Sequence, residues 1–166
     1  MVMVGNEIET ERLRLHQVGV EEARELLDGR PQPELPWAHG YPIEGSLIAA
    51  EAFVRAIDGG QEVGPYGLYQ IVMVKEGAVV GDIGFHGPPD LVRSVTIGYG
   101  LAAEARGHGY ATEALRALII WAMTQPGVRR VEGDAVHANL ASQRVMERAG
   151  MRYVGSDAQL RYYRYP

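Results

Sequence analysis

The chain contains no cysteine among its 166 residues. This absence excludes disulfide bonds, thiolate metal sites and a cysteine nucleophile. Lysine is almost absent too, because Lys75 is the single lysine among the sixteen basic residues. Any catalytic or binding chemistry must therefore come mainly from oxygen-bearing side chains, histidine, arginine and the backbone.

Long hydrophobic runs and an excess of basic charge are also missing. No stretch approaches the roughly 18 consecutive apolar residues of a membrane-spanning helix, and the first residues lack the basic region and apolar run of a signal peptide. A net charge of −5 argues against a broad nucleic-acid surface. With 46% hydrophobic residues, the composition is that of a soluble globular protein. We therefore expect one cytoplasmic domain, residues 1–166, that binds neither nucleic acid nor a membrane.

The hydrophobic pattern predicts strands with interspersed helices, and hence one mixed sheet covered by helices. Ser46 and Asn139 are the expected N-caps of the second and fourth helices. The predicted strands are residues 10–16, 67–74, 78–85, 95–101, 129–137, 151–154 and 159–165, and the predicted helices are residues 20–27, 46–57, 111–123 and 139–149.

A glycine-containing turn at residues 106–112 carries the strongest functional signal. It lies between a predicted strand and the clearest predicted helix, so several backbone N–H groups at the helix start lack an intrahelical partner. The helix dipole adds partial positive charge there, and phosphate oxygens are the natural ligand. The turn reads Arg106-Gly107-His108-Gly109-Tyr110-Ala111-Thr112.

Two better-known phosphate motifs fit this region poorly. The Walker motif is excluded because no lysine lies near the turn. The letters Gly98-x-Gly100-x-x-Ala103 fit the dinucleotide fingerprint, but residues 114–131 contain no acidic side chain to hold a ribose. A tight strand-to-helix connection without a ligand is the remaining structural alternative.

Four sequence blocks together resemble the GNAT superfamily of N-acetyltransferases. Arg106-x-x-Gly109-x-Ala111 matches the superfamily signature Q/R-x-x-G-x-G/A, and the likeness to the branch that acetylates ribosomal-protein N-termini covers essentially the whole chain. The resemblance implies an α/β (α+β) fold, with a mixed, mostly antiparallel sheet of six to seven strands and about four helices. The blocks are Thr10-Glu11-Arg12-Leu13, Ile97-Gly98-Tyr99-x-Leu101, Arg106 to Leu115 and Asn139-x-x-Ser142-x-x-Val145-x-Glu147-Arg148-x-Gly150-Met151.

The same resemblance assigns a site for acetyl-coenzyme A. The pantetheine arm is expected to pair with the backbone of Leu101, Ala102 and Ala103 in the manner of an added strand. Arg106 is expected beside the pyrophosphate. The pyrophosphate itself is expected on the amides of Gly107, His108, Gly109, Tyr110, Ala111 and Thr112.

Three residues of the last block have both a ligand-binding and a structural interpretation. Asn139 resembles the asparagine that contacts pantetheine, and it also suits a helix N-cap. Arg148 is placed to reach the adenosine phosphate, or is simply exposed near a helix end. Ser142 matches the serine of the N-terminal-acetylating branch, where it would donate a hydrogen bond to the departing thiolate, or it bonds only to the backbone.

The catalytic groups depart from the family pattern. Many members carry a glutamate where this chain has Thr96, and relatives often carry a tyrosine where it has Met146. Ser142 and Glu104 are the predicted catalytic residues. Other candidates are His86, Asp134 and His137 as bases and Tyr153, Tyr162, Tyr163 and Tyr165 as phenol donors.

An acceptor site is expected near Trp37, Tyr41 and His86. Deprotonating an α-amine with pKa near 8 costs about 1 kcal/mol at pH 7, against about 4.6 kcal/mol for a lysine side chain. A weakly basic amine therefore needs less help from a general base. We expect direct attack of a peptide or protein N-terminal amine on acetyl-coenzyme A in a ternary complex, without a metal. The alternatives are a small-molecule amine (an antibiotic, polyamine or amino acid) and a non-catalytic coenzyme A-binding module; dimers are common in the family.

Overall fold

Nine strands form a single sheet, and four helices cover it. The computed structural model describes residues 1–166, apart from the side chain of Val2. A 3₁₀ turn, Ala103–Ala105, separates the sixth strand from the third helix. The elements are β1 (Val2–Val4), β2 (Glu7–Glu9), β3 (Leu13–Gln17), α1 (Val20–Leu27), α2 (Glu44–Asp58), β4 (Leu68–Met73), β5 (Ala78–Phe85), β6 (Ser94–Leu101), α3 (Tyr110–Met123), β7 (Arg130–Val136), α4 (Leu140–Arg148), β8 (Arg152–Ser156) and β9 (Leu160–Tyr165).

The sheet runs in the order β1-β2-β3-β4-β5-β6-β7-β9-β8. Every neighbouring pair is antiparallel except β6 and β7, which are parallel. The predicted mixed, mostly antiparallel sheet with four helices is confirmed, but the predicted number of six to seven strands is too low. The two additional strands, β1 and β2, form an N-terminal hairpin of three-residue strands, which is too short to show a period-two pattern.

Two buried clusters hold the helices on the sheet. The larger one joins Leu115 and Leu118 of α3 and Met146 of α4 to the central strands. The smaller one joins Leu26 of α1 and Ala50 of α2 to strands β4 and β5. The apolar periodicity of each helix explains which face packs against the sheet, because residues three and four positions apart lie on the same face.

The two predicted N-caps have different outcomes. Asn139 is confirmed, since its Oδ1 accepts the backbone N–H of Ser142 at 3.1 Å. Ser46 is not a cap, because α2 begins at Glu44 and its N-cap is Ile43. The Ser46 hydroxyl instead reaches back and accepts the backbone N–H of Ile43 at 3.3 Å. A serine can serve the first turn from either position, so its presence near a helix start does not determine the boundary.

A polar clamp attaches the segment before β3 to the first turn of α3. Glu113 accepts hydrogen bonds from the Thr10 hydroxyl at 2.6 Å, the Arg12 backbone N–H at 2.9 Å and the Arg12 Nε at 2.7 Å. Burial alone would raise the pKa of Glu113, but these hydrogen bonds from Thr10 and Arg12 outweigh it and lower the pKa. The carboxylate thus fixes the start of α3 relative to the sheet.

Replacing Glu113 with glutamine should destabilise the fold by about 1–3 kcal/mol at pH 7, because one charged acceptor is lost opposite Arg12. Since the folded-state pKa of Glu113 is lowered, its contribution is present at neutral pH and disappears as the pH falls through that pKa. Denaturant unfolding of both proteins at several pH values measures this. The exposed Glu76→Gln is the control. A destabilisation independent of pH would contradict the ionic role.

Candidate active site

The two parallel strands β6 and β7 separate along their length. They pair only from Ser94 with Arg130 to Thr96 with Glu132. Beyond this point β6 continues to pair with β5 as far as Leu101, and β7 continues to pair with β9 as far as Val136. A gap therefore opens in the middle of the sheet, with one unpaired strand edge on each side.

The gap side of β6 presents backbone groups for an extended ligand. The C=O of Thr96 accepts from His86 at 2.9 Å and the N–H of Ala102 donates to Val80 at 2.8 Å, so both face β5. Because alternate residues of a strand point their N–H and C=O groups to opposite sides, those of Ile97, Tyr99 and Leu101 face the gap. This edge is suited to strand-like pairing with amides of a ligand.

The residues expected to pair with pantetheine differ in how many of their backbone N–H and C=O groups already have partners within the protein. The N–H of Leu101 faces the gap, whereas its C=O accepts from the Arg106 Nε at 3.1 Å. Ala102 is occupied on both sides, since its C=O also accepts from Ala105 at 3.0 Å. Ala103 lies in the 3₁₀ turn, and its C=O accepts from the Arg106 N–H at 3.2 Å.

The turn of residues 106–112 leaves its amides without protein acceptors. Gly107 and Gly109 have φ angles of 80° and 82°, the left-handed conformation that glycine adopts without strain. Among the described residues, none accepts a hydrogen bond from the N–H groups of residues 107–112. The first bond of α3 is Glu113 N–H to Gly109 C=O at 3.0 Å. Six amides at a helix N-terminus make an anion site.

Basic side chains surround this turn. Arg12, Arg116 and Arg148 line an open groove with Gly109 and Thr112. The Arg12 Nη1 donates to the C=O of His108 at 2.9 Å, and its guanidinium lies 4.6 Å from the ring centroid of Tyr110. The structure thus places Arg148, Thr112 and Gly109 in one groove, whose three arginines are accompanied by the carboxylates of Glu11 and Glu113, while the Arg106 Nε is directed back to β6.

On the opposite side of the gap, α4 contributes Ser142. Its hydroxyl lies 2.8 Å from the phenol oxygen of Tyr99, and that phenol is also 3.0 Å from the Ser142 C=O. Burial raises the pKa of Tyr99 to about 12, so the phenol keeps its proton at neutral pH. Tyr99 is a hydrogen-bond donor that the sequence pattern did not single out, because an aromatic residue in a strand is commonplace.

The other candidate catalytic side chains lie in different surroundings. Glu104 is 75% exposed and its Oε1 is 3.1 Å from the Nδ1 of His39. His137 contacts the C=O of Asp157 at 2.9 Å, and Asp134 is exposed on β7. Met146 is 1% exposed and lies in the core.

Tyr163 is the most buried of the four candidate phenols. It is 1% exposed, and its hydroxyl has no hydrogen-bond partner among the described side chains and backbone groups. The Tyr153 hydroxyl donates to the Ser156 hydroxyl at 3.1 Å, and the Tyr162 hydroxyl is hydrogen-bonded to Asp157. Tyr165 is partly buried against the core.

A cavity of about 400 Å³ adjoins β6 where the gap begins. Gly98 and Gly100 form part of its wall. A Cβ on Gly100 would lie 2.6 Å from the Ile43 Cδ1, so the end of the Ile43 side chain packs directly over Gly100. The wall is mainly apolar and comprises Ile43, Gly45, Ser46, Ile48, Ala49, Ala52, Phe53, Ala56, Gln61, Val63, Tyr66, Gly67, Leu68, Asp82, Ile83, Gly84, Phe85, His86, Gly87, Gly98, Tyr99 and Gly100.

The three residues predicted to bind the acceptor lie in different positions relative to this cavity. His86 lines it. Tyr41 is 6% exposed and lies behind the wall, where its hydroxyl donates to the Asp82 Oδ1 at 2.6 Å. Trp37 packs edge-on against Tyr41, with ring centroids 5.7 Å apart, and belongs to the smaller core.

Asp82 is a buried carboxyl group in the cavity wall. It is 5% exposed, and its Oδ2 has no hydrogen-bond partner within the described structure. Burial raises the pKa of Asp82 to about 6, against the lowering effect of the Ser46 and Tyr41 hydroxyls. An acidic residue inside the apolar strand Ala78–Phe85 is the signal that could have identified it.

Neither a metal cluster nor a membrane-spanning helix occurs among the described residues. No group of three histidine, aspartate or glutamate side chains there could hold a metal ion. None of the helices in this part of the chain is long and apolar enough to span a bilayer.

Comparison with known proteins assigns the chain to a family. Residues 12–152 match the acetyltransferase (GNAT) domain. An uncharacterized N-acetyltransferase of Bacillus subtilis, YjdG, is 30% identical over 95% of this chain and 96% of its own length. The chain therefore belongs to the GNAT family of acetyltransferases, and it is an N-acetyltransferase that uses acetyl-coenzyme A as co-substrate. The predicted family and co-substrate are confirmed.

Solved structures share the fold. RimL, a ribosomal L7/L12 alpha-N-protein acetyltransferase crystallised with coenzyme A, has a TM-score of 0.68 at 18% identity, covering 96% of this chain and 97% of its own. The microcin C7 self-immunity acetyltransferase MccE, in complex with acetyl-coenzyme A and AMP, has a TM-score of 0.64 at 18% identity, covering 94% and 93%. The likeness to a ribosomal-protein acetyltransferase is thus present at the level of the fold.

The residues of this chain suit acetyl-coenzyme A. Six amides without acceptors match the oxygens of a pyrophosphate, and arginines line the adjoining groove. The free edge of β6 matches the amides of pantetheine. Among the described residues, the amides of the turn and, apart from the Leu101 C=O, the backbone groups on the gap side of β6 have no partners and are therefore available to a ligand.

Replacing Gly109 with leucine should weaken coenzyme A binding by about 100-fold, because losing two charge-assisted hydrogen bonds costs about 3 kcal/mol. Gly77→Leu is the matched control, since Gly77 also has a positive φ, 67°, but lies in the β4–β5 hairpin. Both variants should lose similar stability. Calorimetric titration with coenzyme A measures the affinity of both variants. Unchanged affinity of the Gly109 variant would contradict the assignment of the phosphate site to this turn.

Proposed function

We propose that this N-acetyltransferase acetylates the α-amine of a peptide or protein N-terminus. The observation that carries the proposal is the arrangement around β6. One edge of the strand is free for a co-substrate, the anion-binding turn lies beyond its end, and the 400 Å³ cavity adjoins Gly98 and Gly100. An amine in the cavity would approach the strand where a thioester would lie.

The absence of a carboxylate on β6 supports a weakly basic acceptor. The position at which many family members carry a glutamate is Thr96, so this chain has no acidic side chain there. An α-amine needs about 3.6 kcal/mol less than a lysine side chain to lose its proton at pH 7. The name of RimL, an alpha-N-protein acetyltransferase, agrees with this acceptor class.

The co-substrate residues are proposed on the contacts already described. The gap edge of β6 through Leu101 would pair with pantetheine, and the amides of residues 107–112 would hold the pyrophosphate with Arg148 nearby. The Arg106 side chain would also bind the pyrophosphate, after its Nε releases the hydrogen bond to the Leu101 C=O. The Asn139 Oδ1 is used as a helix cap, which leaves its amide N–H groups to donate to pantetheine.

Acetyl-coenzyme A supplies an activated acyl group as a thioester. The amine nitrogen forms a bond to the carbonyl carbon while the carbon–sulfur bond breaks, and the sulfur leaves with the electron pair of that bond. The ammonium substrate gives up two protons overall, one of which ends on the departing sulfur. The chain must therefore position the amine, accept a proton and stabilise the sulfur.

The hydrogen-bonded pair Ser142 and Tyr99 is proposed to stabilise the leaving sulfur. The pair bridges β6 and α4 beside the gap, with 2.8 Å between the hydroxyl oxygens. The single proton of the Tyr99 phenol can be donated either to the Ser142 C=O or to the Ser142 hydroxyl, and when it is donated to the hydroxyl, Ser142 can donate its own proton to the sulfur. Glu104 remains a prediction as a proton acceptor acting through water, from an exposed position.

A small-molecule amine is the second candidate acceptor. The cavity volume of about 400 Å³ falls within the range of small-ligand sites, and the wall closes around it from α2 to β6. A free amine of that size would be enclosed more completely than the end of a protein chain.

Thiol release from acetyl-coenzyme A distinguishes these acceptors. The panel consists of peptides with free N-termini, the same peptides with acetylated N-termini and one internal lysine, and free small amines. We expect release with the free N-terminal peptides and little with the acetylated ones. Release with small amines alone would overturn the N-terminal assignment. Tight binding of coenzyme A without acceptor-dependent release would identify a binding module instead.

Ser142→Ala should lower kcat by about 10- to 100-fold, the effect of one hydrogen bond of 1.5–3 kcal/mol to a charged atom. The affinity for coenzyme A should change little. Ser156→Ala is the matched control, because Ser156 also pairs with a tyrosine hydroxyl, that of Tyr153 at 3.1 Å, outside the gap. Steady-state kinetics with a reactive peptide measures both. Equal rates for Ser142→Ala and wild type would exclude Ser142 from the mechanism.

A further inference from the structure

We infer that Asp82 accepts the proton of the acceptor ammonium, and that the apolar cavity around it selects amines attached to an apolar or aromatic group. This inference rests on the proposed function, because it names the residue and the substrate chemistry of the same site. It depends on four observations: the position of Asp82, its burial, its partly satisfied carboxyl group and the composition of the cavity wall.

Asp82 lies next to the strand that borders the gap. It is in register with Gly100 on β6, and directly opposed residues of an antiparallel pair have Cα atoms about 5.5 Å apart. Gly98 and Gly100 have no side chains of their own, but the ends of two neighbouring side chains lie over them: the His86 Nε2 is 2.9 Å from the position of a Cβ on Gly98, and the Ile43 Cδ1 is 2.6 Å from that of a Cβ on Gly100. A ligand that displaces these two side-chain ends would contact Asp82 and reach the edge of β6 at the same time.

The carboxyl group is oriented by a hydrogen bond to one oxygen, while its other oxygen is buried without a hydrogen-bond partner in the described structure. The Tyr41 hydroxyl donates to Oδ1 at 2.6 Å, and the Gln70 Nε2 donates to the Tyr41 oxygen at 3.2 Å. Among the described residues, the Oδ2 atom has no hydrogen-bond partner within bonding distance, and the Ser46 hydroxyl is the remaining polar group close to the carboxyl. A buried carboxylate oxygen without a donor is costly, and an ammonium group from a ligand would satisfy it.

No lysine or arginine side chain lines the described wall. The titratable groups that face the cavity are Asp82, His86, Tyr66 and Tyr99, with Tyr41 behind Asp82, and α2 contributes only Ser46 among polar groups. His86 is exposed, with its Nε2 over Gly98, and Tyr99 is bonded to Ser142. Asp82 is therefore the buried anion that an entering ammonium would meet.

The proton balance of the step is simple. One N–H bond of the ammonium breaks and an O–H bond forms on Oδ2 of Asp82, which leaves a neutral carboxylic acid and a neutral amine. The nitrogen lone pair then attacks the thioester carbonyl carbon, and the second proton leaves with the sulfur. Burial favours this transfer, because it removes two opposite charges from an apolar cavity.

The rest of the wall defines what the amine carries. Apolar side chains from α2 and its N-cap, including Ile43, Ala49 and Phe53, make up much of the surface beyond Asp82. A charged or strongly polar group next to the amine would be buried there without a partner. A leucine- or phenylalanine-like group fits, either as the first residue of a peptide or as part of a free amine.

The experiment compares Asp82→Asn with wild type by the pH dependence of kcat/KM, using a peptide that begins with leucine. Asparagine keeps the shape and the acceptor for Tyr41 but cannot take a proton. Between pH 6 and the amine pKa near 8, kcat/KM of the wild type should not change with pH. In this range the Asp82 carboxyl group is ionised and the acceptor amine is protonated, as the proposed transfer requires. The variant should rise about tenfold per pH unit, because it depends on free neutral amine.

Two further variants separate a catalytic role from a structural one. Tyr41→Phe removes a donor that lowers the pKa of Asp82, so the acid limb of the profile should move to higher pH. A merely structural role would lower stability without moving the profile. Asp28→Asn, which removes the same charge on an exposed loop, should leave the profile unchanged. A Glu104→Gln variant that loses the flat region, while Asp82→Asn keeps it, would assign the proton to Glu104 and overturn the inference.

The acceptor preference is tested with matched peptides that differ only in the first residue, together with 2-phenylethylamine. We expect kcat/KM for leucine or phenylalanine to exceed that for aspartate or lysine by at least about tenfold, the effect of one unsatisfied buried polar group. Equal rates for all of them would overturn the apolar selection but keep the proposed function. Absence of thiol release with every peptide would overturn the proposed function itself, and 2-phenylethylamine would show whether free amines share the site.

Discussion

The separation of β6 from β7 is the constraint on which the rest of the site depends. Hydrogen-bonded pairing ends at Thr96 and Glu132, and each strand keeps its other neighbour. A sheet normally satisfies both edges of an internal strand. Here the backbone on one side of β6 is left for a ligand, and the turn and α4 lie where they can contact the same ligand.

The glycines of β6 lie between this gap and the 400 Å³ cavity. Without side chains, Gly98 and Gly100 allow His86 and Ile43 to lie against the sheet, and the cavity forms where α2 meets the strand. The same face carries Asp82, which the Tyr41 hydroxyl orients. The free edge of β6 and the cavity thus both adjoin one strand, so under the proposed function this strand would bring the two substrates together.

Much of the fold followed from pattern alone. All four helices and seven strands were predicted close to their observed positions, because apolar periodicity and helix caps act locally. The N-terminal hairpin was missed, since three-residue strands are defined by their partners. Ser46 was misplaced as a cap, because a serine can satisfy either of two first-turn amides.

The sequence by itself determined the family and the co-substrate, and it located the turn with unpaired amides, since these depend on contiguous residues such as Arg106 to Thr112 and on backbone groups at one helix start. Only the tertiary structure decided which side chains meet. Tyr99 pairs with Ser142 43 residues away, and Tyr41 orients Asp82 41 residues away. No local sequence pattern predicts either pairing. The Asp82 carboxyl and the Tyr99 phenol matter chemically because they are buried, and that burial comes from packing between distant segments.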